Sequence, residues 1–126
     1  MYFKVESIRE VFILEVLRNF KFLLLIGYSD PIIGIYPLET NVSYSSKNRE
    51  INITMPDPDL IVIEIINRSF SFKKNVINVN DLILSSHPDI KISGLLNENN
   101  LGIILKKYSD FIREDIFSII KGEEWR

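Results

Sequence analysis

The residue best placed to do chemistry is Glu64, because it interrupts an otherwise apolar run over residues 60–66. In a strand it shares a face with two aliphatic side chains, and a carboxylate buried there is costly unless it is paired. Carboxylates in such surroundings act as general acids, general bases or metal ligands. Asp57 and Asp59 precede the same run, so the three carboxylates form a candidate site for a metal-dependent hydrolase or nuclease.

This acidic arrangement resembles that of metal-dependent nucleases, in which an acidic residue opens a strand and a Glu lies within it. Those nucleases usually carry a Lys two residues after the Glu, and this chain has Ile66 there. The favoured interpretation of Glu64 is therefore structural: it faces solvent at one end of the sheet or pairs with Arg68 or a Lys. The metal-dependent enzyme is kept as the alternative function.

The single histidine, His87, lies in a segment of two serines, a proline and an aspartate over residues 85–89. A hydrolytic triad needs side chains that converge within hydrogen-bond reach, and it usually draws them from distant loops. Immediate neighbours seldom point at each other, and no Gly-x-Ser-x-Gly motif is present. The segment is therefore predicted to be a surface turn.

A small nucleic-acid platform is indicated by Lys73 and Lys74, which follow the alternating aromatic residues Phe70 and Phe72. Stacking aromatics beside cations bind single strands in this way. The net charge of −2 and the interspersed charges oppose it, because nucleic-acid binders carry a basic footprint. Nucleic acid is therefore not an expected partner, and nucleic-acid binding is the weaker alternative function.

The C-terminal pair Trp125 and Arg126 is a candidate interaction anchor, since Trp and Arg are enriched in binding hot spots. The competing interpretation is that Trp125 folds back onto the first helix. Farther upstream, Asp110 and Glu114 share a helix face at a spacing of four residues. Without an accompanying His they are interpreted as a solvated face and not as a metal site.

Composition limits the class of protein. A length of 126 residues predicts a single domain spanning 1–126, and 46% hydrophobic with 25% charged residues is typical of a folded protein. No apolar run approaches the roughly 20 residues that cross a membrane, so no membrane partner is expected. Without Cys there is no disulfide and no thiolate metal site, which favours a cytoplasmic location. No Gly-rich phosphate loop is present, and no cofactor is predicted.

The same composition indicates the kind of genome that encodes the protein. Ala and Gln are absent and Ile is the commonest residue, as AT-rich codon usage would produce. A virus or mobile element of an AT-rich host fits this usage. The missing Cys and Gln also fit a thermophile, although the abundance of Asn argues against thermal selection alone.

Helical spacing predicts two terminal helices. The first spans 7–20, where Ser7 and Glu10 have the spacing of a capping box. The second spans roughly 99–121, begins at Asn99 or Asn100, and has an apolar stripe that includes Leu105. Gly122 stands where a left-handed C-cap is expected, and Ser109-Asp110 is the predicted point for any break. A short helix over 81–86 would be capped by Asn80 or Asp81.

Strand signals fill the middle of the chain. They predict strands over 21–28 and 32–38 around the Asp30-Pro31 turn, a hairpin over 41–56, a strand over 60–66, a weaker hairpin over 69–79, and a short strand over 89–93. No strand–helix–strand alternation appears among them. A parallel sheet is therefore excluded in favour of antiparallel pairing.

The predicted fold class is α+β, with an antiparallel sheet of about five to six strands packed by the N-terminal helix and the long C-terminal helix. Strands 22–26 and 60–66 look apolar on both faces, yet two helices cover about one face. Because large apolar patches are rare on monomers, the second face is expected to be covered by another chain. We therefore expect a small intracellular accessory protein that acts through self-association or a protein partner, and no motif predicts catalysis.

Overall fold

The computed structural model describes residues 2–56, 60–68, 75–89 and 96–125. The described elements, in chain order, are α1 (Tyr2–Asn19), α2 (Phe22–Leu25), β1 (Ile32–Ile35), β2 (Glu39–Ser45), β3 (Arg49–Pro56), β4 (Val62–Asn67), β5 (Val76–Asn78), α3 (Val79–Ser86), α4 (Leu101–Asp115) and α5 (Phe117–Ile120). The predicted α+β class is confirmed. None of the described helices is long and apolar enough to cross a membrane.

The described strands form one antiparallel meander in the order β1-β2-β3-β4-β5. Side chains alternate between a face that packs on the helices and an open face. The helix-covered face carries fully buried residues on the three central strands, among them Val42, Ile53 and Ile63. The predicted hairpin over 41–56 corresponds to β2 and β3.

The open face of the sheet is more polar than the sequence suggested. Asn41 Nδ2 donates to Thr54 Oγ1 at 2.7 Å, and Ser43 Oγ is 2.6 Å from Asn52 Oδ1. In β4 the open-face residues Val62, Glu64 and Ile66 are half-buried in the single chain. A hydrogen-bonded polar face on β2 and β3 needs no apolar cover.

The N-terminal helix starts earlier than predicted. Because α1 already runs through Ser7 and Glu10, these residues do not form a capping box at its start. Phe12, Val16 and Phe20 are fully buried at a spacing of four residues, which is the periodicity that identified the helix.

The predicted strand over 21–28 is wrong, because residues 22–25 form the single helical turn α2. A short apolar run does not distinguish helix from strand by periodicity alone. Gly27 then adopts φ 104°, and Tyr28 N donates to Leu23 O at 3.1 Å, which closes the turn. A left-handed residue of this kind ends a helix at little cost when it is glycine.

The C-terminal helix breaks at Ile116, between α4 and α5, and not at Ser109-Asp110. Ser109 stays helical because its Oγ donates to Lys106 O at 3.1 Å within the preceding turn. The predicted left-handed C-cap is confirmed, since Gly122 has φ 81°.

The short helix α3 is capped by Asn78, whose side chain accepts from Asp81 N, and not by Asn80 or Asp81 as predicted. Asn80 has another role. Its Nδ2 donates to Ile61 O at 3.0 Å and lies 2.6 Å from Tyr108 Oη, while its Oδ1 accepts from Ile63 N at 3.3 Å. The Asn80 side-chain amide thus bonds to the backbone N–H and C=O of residues at the start of β4, as a peptide group of a neighbouring strand would.

The remaining strand predictions fall largely outside the described residues. Of the predicted hairpin over 69–79, the structure describes only its last part, which contains β5. The predicted strand over 89–93 lies almost wholly in a part of the chain that is not described.

Leu105 tests the contribution of α4 to the core, because it is fully buried there. We expect Leu105→Ala to lower the free energy of unfolding by about 2–5 kcal/mol through lost apolar burial and the cavity left behind. Ile103→Ala is the matched control on the same helix, since Ile103 is 60% exposed, and it should cost less than about 1 kcal/mol. Urea titration measures both, and equal losses would mean that the α4 stripe is peripheral.

Three buried tyrosines give the fold an alkaline limit. Burial raises the pKa of Tyr28, Tyr44 and Tyr108 to about 12. The folded state therefore holds these protons more tightly than the unfolded chain, and their stabilising contribution is complete below pH about 10 and lost as the pH rises through about 12.

We therefore expect phenolate absorbance of these three residues to rise together with unfolding, as monitored by circular dichroism. Tyr44→Phe should move the alkaline unfolding midpoint upward, because one coupled ionisation is removed. The exposed Tyr36 supplies the control, and Tyr36→Phe should leave the midpoint in place. Ionisation of all tyrosines well before unfolding would contradict the expectation.

Candidate functional site

The structure places Glu64 on the open face of β4, where it is half-buried. Its cross-strand neighbours are Asn52 on β3 and Asn78 on β5. Within the described residues no Lys or Arg forms an ion pair with Glu64. The predicted partner Arg68 instead lies 3.8 Å from Glu50.

The other members of the predicted acidic site, Asp57 and Asp59, lie outside the described residues. So do the predicted nucleic-acid residues Lys73 and Lys74. In the ranges 2–56, 60–68, 75–89 and 96–125, no group of three or more His, Cys, Asp or Glu side chains is arranged to hold a metal ion. The carboxylate site of Glu64, Asp57 and Asp59 therefore stays a prediction.

The candidate anchor Trp125 folds back onto the protein, and one of its contacts is with Arg49 at the start of β3. The guanidinium carbon of Arg49 lies 5.0 Å from the centroid of the Trp125 ring, a cation–π distance. Trp125 is half-buried and packs against the core. Its companion in the predicted anchor, Arg126, lies outside the described residues.

Arg49 holds this C-terminal cluster together, although it is only 3% exposed. Its Nε donates to Ile119 O at 2.8 Å and its Nη2 to Glu124 O at 2.9 Å. Its Nη1 donates to Asn48 O and to Asn67 Oδ1, each at 3.1 Å. One buried side chain thus joins the starts and ends of neighbouring strands to the end of α5 and the tail.

A recess of about 500 Å³ lies between the end of α3 and the outer face of α4, and its lining consists of His87, Asp89, Lys107, Asp110, Phe111, Glu114 and Asp115. His87 Nε2 is 2.6 Å from Asp115 Oδ2, and the imidazole meets the Phe111 ring edge-on. Sequence spacing gave no signal for this contact, because the two residues are 28 positions apart. An imidazole oriented by a carboxylate is suited to proton transfer.

The groups around His87 limit its use in proton transfer. Ser85 Oγ donates to Leu82 O at 3.1 Å within its own helix, so it does not complete a triad with His87. The Lys106 ammonium, hydrogen-bonded at 2.8 Å, holds the pKa of Asp110 below its ordinary range, and Arg113 adds to the effect at 3.0 Å. Asp110 thus belongs to a partly exposed ion-pair network with Lys106 and Arg113.

A different surface lies at β1, the terminal strand of the sheet as far as it is described. Its apolar residues and those just after it are 43–77% exposed; we call this set the β1 edge surface, and it consists of Ile32, Ile33, Ile35, Tyr36 and Leu38. The sequence predicted a strand here but not its place at an edge. Pro31 and Pro37 were the available signal, because proline is confined mainly to edge strands and strand ends.

The Tyr36 ring lies across Gly34 on the open face, where an added Cβ would approach Cε2 of the ring to 2.7 Å. This ring forms one wall of a second recess of about 610 Å³, whose other lining residues are Pro37, Leu38, Glu39, Asn41 and Asn52. Glycine at position 34 is therefore what lets the aromatic ring lie flat on the strand.

Arg49→Met tests whether the buried guanidinium holds the tail in place. We expect a loss of about 2–5 kcal/mol in the free energy of unfolding, because the carbonyls of Ile119 and Glu124 would lose charged donors. The fluorescence of Trp125, the single tryptophan, should change as its ring leaves the guanidinium. Arg68→Met is the exposed control and should cost less than about 1 kcal/mol. Equal losses in the two variants would contradict the role given to Arg49.

Two surfaces of the protein differ in their chemistry. One is a recess with an imidazole–carboxylate pair, and the other is an apolar strand at a sheet edge. No protein-family model, curated protein sequence or solved structure matches this chain. Function is therefore inferred from the geometry and physical chemistry of these surfaces.

Proposed function

We propose that this protein works by binding another protein chain through the β1 edge surface, in the first place a further copy of itself. The observation that carries the proposal is the exposure of large apolar side chains on both faces of a terminal strand. Contiguous apolar surface of this kind marks interaction sites on folded proteins.

The backbone of β1 supports the same proposal. A terminal strand presents unpaired N–H and C=O groups along its free edge, which is a template for pairing with another chain. Natural edge strands are usually protected by charged side chains, above all Lys. From Pro31 to Leu38 this chain has no charged residue.

The proposal moves the expected contact from the face of the sheet to its edge. The sequence suggested that an apolar second face would be covered by a subunit, whereas the open face of β2 and β3 is a hydrogen-bonded polar surface. The apolar surface is concentrated on the strand beyond them. An intracellular accessory role is part of the proposal, and the Cys-free composition suits a reducing cytoplasm.

The alternative function, a metal-dependent hydrolase or nuclease, needs Asp57 and Asp59 to approach Glu64. Its support is the half-buried position of Glu64 beside two Asn side chains, without an ion pair in the described residues. Nucleic-acid binding through Lys73 and Lys74 has less support, since the net charge is −2. Neither alternative accounts for the exposed apolar strand, and we therefore favour association.

Light scattering over a dilution series tests association. The wild type should show a mass above 14.7 kDa at high concentration that falls toward the monomer value on dilution. Ile35→Lys should be monomeric throughout, because a charge on the strand would be desolvated by pairing. Ile103→Lys is the matched control, since both isoleucines are 60% exposed, and it should behave as the wild type.

Two results would overturn the proposal. A wild type that is monomeric at every concentration would remove self-association. An Ile35→Lys variant that associates like the wild type would show that the contact lies elsewhere on the surface. Circular dichroism of each variant confirms that the mass is measured on folded protein.

A further inference from the structure

We infer that the occupant of the β1 edge is a second copy of this chain, paired antiparallel about a two-fold axis at Gly34, with Ile33 of each copy opposite Ile35 of the other. The inference rests on the proposed function and specifies its partner and register. It would join the two five-stranded sheets into one ten-stranded sheet. Three independent features of the strand support it.

The first feature is the direction of the free backbone groups. Tyr36 and Glu39 exchange two hydrogen bonds, N to O at 2.8 and 3.4 Å. Because bonded and non-bonded pairs alternate along an antiparallel ladder, Gly34–Asn41 is also a bonded pair, whereas Ile33–Val42 and Ile35–Thr40 are not. The N–H and C=O groups of Ile33 and Ile35 therefore point away from β2, toward the edge that no described strand occupies.

The second feature is the pair of prolines that bracket the strand, Pro31 and Pro37. Residues opposite each other must lie on the same face, so Ile33 can face Ile33, Ile35 or another odd-numbered position of the second copy. If Ile33 faces itself, Ile35 meets Pro31, and if Ile35 faces itself, Ile33 meets Pro37. Proline has no N–H to donate. With Ile33 opposite Ile35, all four outward-pointing groups of each strand find partners.

The third feature is charge complementarity at the two ends of the strand. Arg9 Nη2 donates to Pro37 O at 2.7 Å, so the Arg9 guanidinium is held beside one end of β1. In the inferred register the Pro37-Leu38 turn of one copy lies next to Pro31 of the second copy, which is preceded by Asp30. Neither Arg9 nor Asp30 has an ion pair within the described residues. The symmetry would bring them together twice, once at each end of the paired strands.

Cysteine cross-linking tests the register without background, because the chain has no Cys. Two single variants are made, Ile33→Cys and Ile35→Cys, and each is oxidised alone and in an equal mixture. In a bonded antiparallel pair the Cα atoms are about 5.5 Å apart, within the range of a disulfide. Identical positions are offset by two residues along the strands and lie beyond about 7 Å. A disulfide-linked dimer should therefore form in the mixture and not in either variant alone.

The outcomes separate this inference from the proposed function. Cross-linking of either variant alone would establish a different register and overturn the inference, while association through β1 would stand. An associated wild type with no cross-link in any sample would overturn β1 pairing itself. A wild type that is monomeric at every concentration would overturn both.

Charge exchange tests the ends of the strand. Arg9→Glu and Asp30→Arg should each weaken the dimer about tenfold, because each removes two ion pairs and adds like-charge contacts. The double variant Arg9→Glu/Asp30→Arg should restore most of the wild-type dissociation constant. If the dimer of the double variant were weakened by the sum of the two single effects, the inferred contact between Arg9 and Asp30 would be contradicted.

Discussion

The arrangement of helices on the sheet depends on one buried cation. Arg49 opens β3, and its guanidinium is surrounded by carbonyl and amide oxygens from the end of β4, the end of α5 and the tail. These carbonyls include the negative end of a helix, which stabilises a positive charge. A buried charge without such partners would be costly, so the sheet and the C-terminal helices are fixed relative to each other at this point.

Tyr28 reinforces the same junction from the other side, since its hydroxyl donates to Ile120 O at 2.6 Å. Among the described elements, α1 lies against β2 and α3 lies against β4. The described helices bury the inner-face residues of β2, β3 and β4 and leave those of β1 exposed.

Burial therefore ends abruptly between β1 and β2. Val42 and Thr40 on β2 are fully buried, whereas their cross-strand partners Ile33 and Ile35 on the same face are exposed. The Thr40 hydroxyl lies at this boundary and has no hydrogen-bond partner among the described residues. The apolar pattern of the core thus continues one strand beyond the helices that bury it.

Local signals in the sequence predicted much of this fold and little of its long-range chemistry. The spacing of Phe12, Val16 and Phe20 identified α1, and Gly122 marked the end of α5. Nothing local distinguished the helical turn α2 from a strand, because a short apolar run suits both. Contacts that join distant parts of the chain, such as Arg49 to Glu124, have no sequence period at all.

The candidate sites also differ in whether local sequence or long-range contacts determine them. The prediction for Glu64 depended on local burial, and the polar neighbours that decide its surroundings come from two other strands. The pairing of His87 with Asp115 arises only because α3 and the end of α4 meet in space. By contrast, the β1 edge surface is visible in the local sequence. Its isoleucines lie between two prolines, in a segment that has no charged residue. What the sequence lacked was how far the helices extend across the sheet, and the described helices leave this strand exposed.

The exposure of β1 also separates association from the enzymatic alternatives. A catalytic site requires several polar groups to converge, whereas an uncovered apolar strand requires only that a second surface complete its burial. Ile33 and Ile35 continue the inner face of the core, so pairing about Gly34 would place the same two residues of the second copy beside them on that face. The helix layers of both copies would then flank one shared apolar strip. In the proposed dimer, β1 thus gains the apolar neighbours that the helices of its own chain do not provide.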